Sequence, residues 1–205
     1  MAVRVKICGI TRPKDAQIAV AAGADAIGLV FYPGSRRYVN IELASEIVEG
    51  LCPLVLLVGL FVDQSPAEIE QVCQAVPLNL LQFHGKESVT DCERYSLPYI
   101  KAIGVARGVD MVGIASTYTS ARAILLDKFD TEAHGGTGQS FDWSQSPCLT
   151  LPVILAGGLT AENVESGIKT VKPSAVDVSS GVESAPGIKD AEKVKRFIEV
   201  AKSVV

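Results

Sequence analysis

The chain has 205 residues, 48% hydrophobic and 20% charged, which suits one well-buried globular core. A formal net charge of −4, with no Lys/Arg run longer than Arg36-Arg37, argues against a nucleic-acid partner. The longest apolar stretch, Leu51 to Val62, contains Pro53 and Gly59 and is too short for a bilayer, and MAVRVKICGI lacks signal-peptide features. A soluble cytoplasmic protein without a membrane partner is the expectation.

Eight short β-rich runs punctuate the chain: Val3–Cys8, Ala26–Phe31, Leu54–Val62, Asn79–Phe83, Tyr99–Ile103, Ala123–Asp127, Pro152–Ala156 and Ala175–Ser179. Most are continuous Val, Ile, Leu and Ala, as expected of parallel strands buried on both faces. Helical patterns separate them. Ser65-Pro66-Ala67-Glu68 is a capping box with Pro at the first helical position, followed by Ile69, Val72, Cys73 and Val76 at helical spacing. Thr160 is expected to cap the helix of Val164 and Ile168, and the last helix carries Val194, Phe197, Ile198 and Ala201 on one face. The helix around Val109–Ala115 is weakly patterned. Lys128 to Thr150 reads as a long Gly-rich loop with a short helix near Asp142–Gln145, suited to covering a substrate. An open doubly wound sheet and a closed barrel both accommodate this alternation. The count of eight favours the α/β class as a single (βα)8 TIM barrel over residues 1–205.

In such a barrel the chemistry belongs at the carboxyl ends of the strands, where the unusual residues lie. Gly157-Gly158 after the seventh strand and Ser179-Ser180-Gly181 after the eighth offer backbone and hydroxyl donors to an anion. One such loop alone is equally well a tight turn, but two together with serines favour a phosphate site. Strand parity puts Arg4, Lys6 and Cys8 on one face, opposite Val3, Val5 and Ile7, and turns Asp127 and Asp177 inward. The eighth strand neighbours the first in a closed barrel, so Lys6 is expected to pair with Asp177. Cys8 at the rim can take a proton if a nearby cation lowers its pKa, although a strand-end cysteine is more often inert. Asp127 ends a very apolar run and is either a proton donor or a loop cap. His84, beside Gln82, reaches a substrate or is a satisfied rim histidine. Arg36 and Arg37 offer a fork for a carboxylate, or are solvated charges.

Together these blocks resemble the phosphoribosylanthranilate isomerase family of tryptophan biosynthesis. The likeness is carried by Val5-Lys6-Ile7-Cys8-Gly9-Ile10-Thr11, Phe31-Tyr32-Pro33-Gly34-Ser35-Arg36-Arg37-Tyr38, Gln82-Phe83-His84-Gly85, Leu125-Leu126-Asp127, Gly135-Gly136-Thr137-Gly138, Ala156-Gly157-Gly158 and Asp177-Val178-Ser179-Ser180-Gly181. The resemblance implies an Amadori rearrangement of N-(5′-phosphoribosyl)anthranilate without metal or organic cofactor. It implies Cys8 as general base, Asp127 as general acid and Arg37, rather than Arg36, as the carboxylate anchor. Gln82, His84 and Asp177 would contact substrate, with Gly136, Gly157, Gly158, Ser179, Ser180 and Gly181 around its phosphate. Other tryptophan-pathway enzymes are possible partners. Two departures stand out: Phe83 where leucine is usual, expected as a packing change, and Gly34 where a polar residue is common, expected to loosen its loop. Rival readings are another phosphate-binding barrel, such as a histidine-pathway isomerase or indole-glycerol-phosphate synthase, and a binding barrel without turnover. The synthase chemistry calls for lysine and glutamate at strand ends, where this chain has Cys8 and Asp127.

Overall fold

The computed structural model describes residues 3–106, 109–128, 143 and 146–204. Eight parallel strands close into a barrel: β1 (Arg4–Cys8), β2 (Ala26–Val30), β3 (Leu56–Phe61), β4 (Leu80–Phe83), β5 (Tyr99–Val105), β6 (Ile124–Lys128), β7 (Val153–Leu155) and β8 (Ala175–Val178). Because the ring of pairings runs from β1 through β8 and closes back on β1, the doubly wound alternative is excluded. Among the described residues seven α-helices accompany them: α1 (Pro13–Ala21), α2 (Ile41–Val48), α3 (Pro66–Ala75), α4 (Val89–Cys92), α5 (Met111–Thr117), α6 (Val164–Val171) and α7 (Ala191–Ser203). None is long and apolar enough to cross a membrane.

Two cores follow from strand parity. Outward residues such as Val5, Ile7, Ile27, Phe61, Phe83 and Val176 pack against the helices, joined by Phe197 of α7. Inward residues Ile100, Ala102, Leu125 and Ala156, with Leu80 and Ile154, form a smaller inner cluster. Phe83 sits between Phe61, Tyr95 and Tyr99 at ring-centroid distances of 6.4, 6.0 and 5.8 Å, so its departure from leucine is a packing change. The Ser65 capping box opens α3 as expected, with Glu68 answering on the Ser65 backbone N–H.

Several expectations need correction. Thr160 does not cap α6: its carbonyl and hydroxyl close an intervening turn, and Asn163 stands at the helix start. The third strand begins at Leu56, because Cys52 to Val55 form a turn in which Leu54 is 90% exposed. Arg4 shares the parity of Lys6 but lies at the amino-terminal mouth, exposed and paired with Asp25, so it is not inside the barrel. Gly34 does not leave room in its loop, since a Cβ there would lie 2.6 Å from the Tyr32 ring. The expected helix at Asp142–Gln145 falls mostly outside the described residues. An unexpected element follows β8: a 3-10 turn (Ser180–Val182) leads into an antiparallel hairpin, β9 (Glu183–Ala185) and β10 (Ile188–Lys189). Pro186-Gly187 makes its turn, with Gly187 at φ +80°.

Candidate active site

Cys8 and Asp127 both reach the inner face of the carboxyl-terminal mouth, from strands separated by β8 and β7 around the barrel. Beneath Cys8, Lys6 lies in register with Asp177, and the expected pair forms at 2.9 Å between Nζ and Oδ1. Both partners are buried. Burial by itself pulls the Lys6 ammonium down, but Asp177 and the Cys8 sulfur outweigh it and hold it above its ordinary value.

One side of Cys8 is apolar, packed with Val30, Leu60 and Val62 and flanked by Tyr32. Burial therefore dominates and pushes the thiol up; Lys6 and, more weakly, Lys189 oppose it, while Asp177 adds to it. The cation that a reactive thiol requires is present in Lys6, but in the free enzyme the dry surroundings outweigh it. Gly28 completes this corner and carried no signal in isolation. It stands in register with Cys8, and a Cβ there would lie 2.8 Å from Sγ and 3.0 Å from Lys6 Nζ.

Across the mouth, His84 Nε2 approaches Asp127 Oδ2 at 3.3 Å, while His84 Nδ1 lies 2.9 Å from Gln82 Nε2. The ring of His84 thus bridges the Gln82 amide and the Asp127 carboxylate. Gln82 is fully buried, and its Oε1 has no hydrogen-bond partner among the described residues. The other Asp127 oxygen accepts the Lys128 N–H at 2.8 Å. Gly157, at φ +79°, lies so close that a Cβ would be 3.0 Å from that oxygen.

The two predicted anion loops are packed together. Gly181 approaches the Leu159 carbonyl so tightly that a Cβ would overlap it, at 1.9 Å. Gly157, Gly158, Ser179, Ser180 and Gly181 are half-buried at the rim, whereas Gly136 lies outside the described residues. Arg36 is exposed and Arg37 half-buried, which separates the two arginines physically. Arg37 is not free, however: its Nε and Nη2 both donate to Glu183, at 2.7 Å each. Glu183 also accepts from Lys189 Nζ at 2.8 Å, and Lys189 donates to the Ser179 carbonyl at 3.1 Å. Sequence reasoning missed this pair because Arg37 and Glu183 are 146 residues apart; the Pro-Gly dipeptide was the available sign of the hairpin that joins them.

A closed (βα)8 barrel with a thiol and a carboxylate facing its mouth, and glycine-lined loops after β7 and β8, defines an acid–base barrel enzyme. The family described as N-(5′-phosphoribosyl)anthranilate (PRA) isomerase matches residues 5–200. A Pseudomonas aeruginosa N-(5′-phosphoribosyl)anthranilate isomerase is 55% identical over 203 residues, covering 98% of this chain and 96% of the relative. The crystal structure of the Thermotoga maritima phosphoribosylanthranilate isomerase superposes with a TM-score of 0.87 at 44% identity, covering 98% of each chain. A further isomerase structure, in complex with reduced 1-(o-carboxyphenylamino)-1-deoxyribulose 5-phosphate, gives a TM-score of 0.83 at 43% identity, again covering 98% of each. The chain belongs to the N-(5′-phosphoribosyl)anthranilate isomerase family.

Proposed function

We propose that Cys8 is the general base and Asp127 the general acid of the reaction of this tryptophan-pathway isomerase. That reaction is the Amadori rearrangement of N-(5′-phosphoribosyl)anthranilate to 1-(2-carboxyphenylamino)-1-deoxyribulose 5-phosphate. The observation that carries the reading is that the thiol and the carboxylate reach one mouth from β1 and β6.

Asp127 protonates the ribose ring oxygen, and the anilino nitrogen supplies the electron pair that opens the ring to an iminium. Cys8, as thiolate, removes the proton from C2′; the resulting enol amine tautomerises to the ketone. The iminium adds a cation beside Cys8, favouring the thiolate that burial disfavours in the free enzyme. Val30, Leu60 and Val62 supply an apolar wall beside the base, a suitable surface for an aromatic ring. Arg37 holds the anthranilate carboxylate, and Asp177 and His84 meet the sugar, with Gln82 orienting His84. Backbone N–H groups at Gly157, Gly158, Ser179, Ser180 and Gly181 surround the phosphate, joined by Gly136 on the sequence resemblance. The chain acts as one catalytic domain in the cytoplasm, with the neighbouring pathway enzymes as candidate partners.

Cys8→Ala and Asp127→Asn are each expected to lower kcat by about 10²–10⁴-fold. Loss of anthranilate-adduct fluorescence in single-turnover mixing is the measurement. Near wild-type turnover in both variants would remove the assigned roles.

A further inference from the structure

A guanidinium has two edges that can each donate a fork of hydrogen bonds to a carboxylate, and in Arg37 one of them is filled. Glu183 fills the Nε/Nη2 edge with both of its oxygens. The remaining Nη1/Nη2 edge carries no hydrogen bond among the described residues. The Arg37 stem is pinned as well: it crosses Gly9, immediately after Cys8, so closely that a Cβ there would lie 2.4 Å from Arg37 Cδ. Gly9 takes φ +73°, a conformation that favours glycine.

Glu183 is itself held from behind. Lys189, whose side chain is wholly buried, donates to its Oε1 at 2.8 Å, and Lys193 Nζ donates to its backbone carbonyl at 2.9 Å. The Lys189 backbone N–H is tied to Asp15 at 3.0 Å, joining the hairpin to α1. An incoming carboxylate that displaced Glu183 from Arg37 would leave a buried, half-paired carboxylate beside Lys189, a costly exchange. The open edge is therefore the one a ligand meets.

We propose that Glu183, clamped by Lys189, is a positioning residue that turns Arg37 into a reader of the substrate's aryl carboxylate, by occupying one guanidinium edge and presenting the other. The pair thereby determines selectivity for N-aryl ribosyl phosphates bearing an ortho carboxylate over those without one. This rests on the assignment of the carboxylate to Arg37 made above. Glu183 and Lys189 touch no reacting atom, and the weak field of Lys189 at Cys8 acts on both substrates alike, so it cancels when the two are compared.

The test compares two substrates, N-(5′-phosphoribosyl)anthranilate and the adduct of ribose 5-phosphate with aniline, which lacks the carboxylate. The readout is the ratio of their kcat/KM values in the wild type, Arg37→Met, Glu183→Gln and Lys189→Met. Glu183→Gln and Lys189→Met are each expected to lower that ratio about tenfold, the size of one loosened charge-assisted hydrogen bond, with the loss in KM. Equal losses on both substrates, as a merely structural role predicts, would overturn the proposal. So would an unchanged ratio. If Arg37→Met leaves the ratio at its wild-type value, the assignment of the carboxylate to Arg37 fails first. If Arg37→Met collapses the ratio and Glu183→Gln does not, only the positioning role fails. A second measurement needs no variant: nitrogen-15 side-chain spectra of the wild type with and without reduced 1-(o-carboxyphenylamino)-1-deoxyribulose 5-phosphate. A hindered, hydrogen-bonded Arg37 guanidinium both before and after addition supports the proposal. Release of the Nε hydrogen bond on addition shows Glu183 displaced and refutes it.

Discussion

The mouth of the barrel has two unequal sides. Around Cys8, strands β1 and β8, the loop after β2 and the hairpin gather Lys6, Arg37 and Lys189 against Asp177 and Glu183, three cations to two carboxylates. Around Asp127, the end of β4 supplies an imidazole, backed by a buried amide. The difference matches the demands of the two proposed roles. A base in dry surroundings must carry a full negative charge before it can act, and only neighbouring cations offset the cost of burying it. An acid that gives up its proton on demand needs orientation more than field.

The comparison is broken most severely by Lys6→Met. It strands Asp177 in the barrel without a partner, and the expected loss of stability is about 3–5 kcal/mol by urea unfolding. The same variant sharpens the kinetic side. Only the thiolate is alkylated and burial raises the thiol, so the rate of Cys8 alkylation by iodoacetamide should keep rising with pH beyond the ordinary thiol value of about 8.5. Removing the Lys6 cation should move that rising limb higher still; a limb that stays in place would detach Lys6 from the base.

Gly28→Ala probes the same side by geometry alone. The added methyl meets Sγ at 2.8 Å, and displacing the sulfur should lower kcat by up to about 10²-fold. Wild-type kcat in Gly28→Ala would mean that the thiol tolerates movement a positioned base should not. The smallest effect is expected on the acid side. His84→Ala removes one contact to Asp127 and should lower kcat/KM about tenfold, while leaving the rising limb of the alkylation profile where it was. A displaced limb would show that the two sides titrate as one unit.

Much of this arrangement was legible before any coordinates. Apolar runs identified the eight strands to within a few residues, and period-two alternation assigned Lys6, Cys8, Asp127 and Asp177 to the inner face. Arg4 marks the limit of that rule: parity gives a side chain its face but not its depth, and the chain end of β1 leaves it in solvent. The hairpin escaped because two short strands and a Pro-Gly turn resemble the loops around them.

What the sequence by itself determined is therefore the identity of the acid and base candidates, their inward aspect and the loops that flank them. All of these depend on neighbours a few residues away. The tertiary structure alone decided that burial outweighs the cations at Cys8, that His84 meets Asp127, and that Glu183 occupies one edge of Arg37. Each of those depends on the depth and angle at which distant strand ends meet. Barrel closure and side-chain packing set these quantities, and local alternation does not encode them.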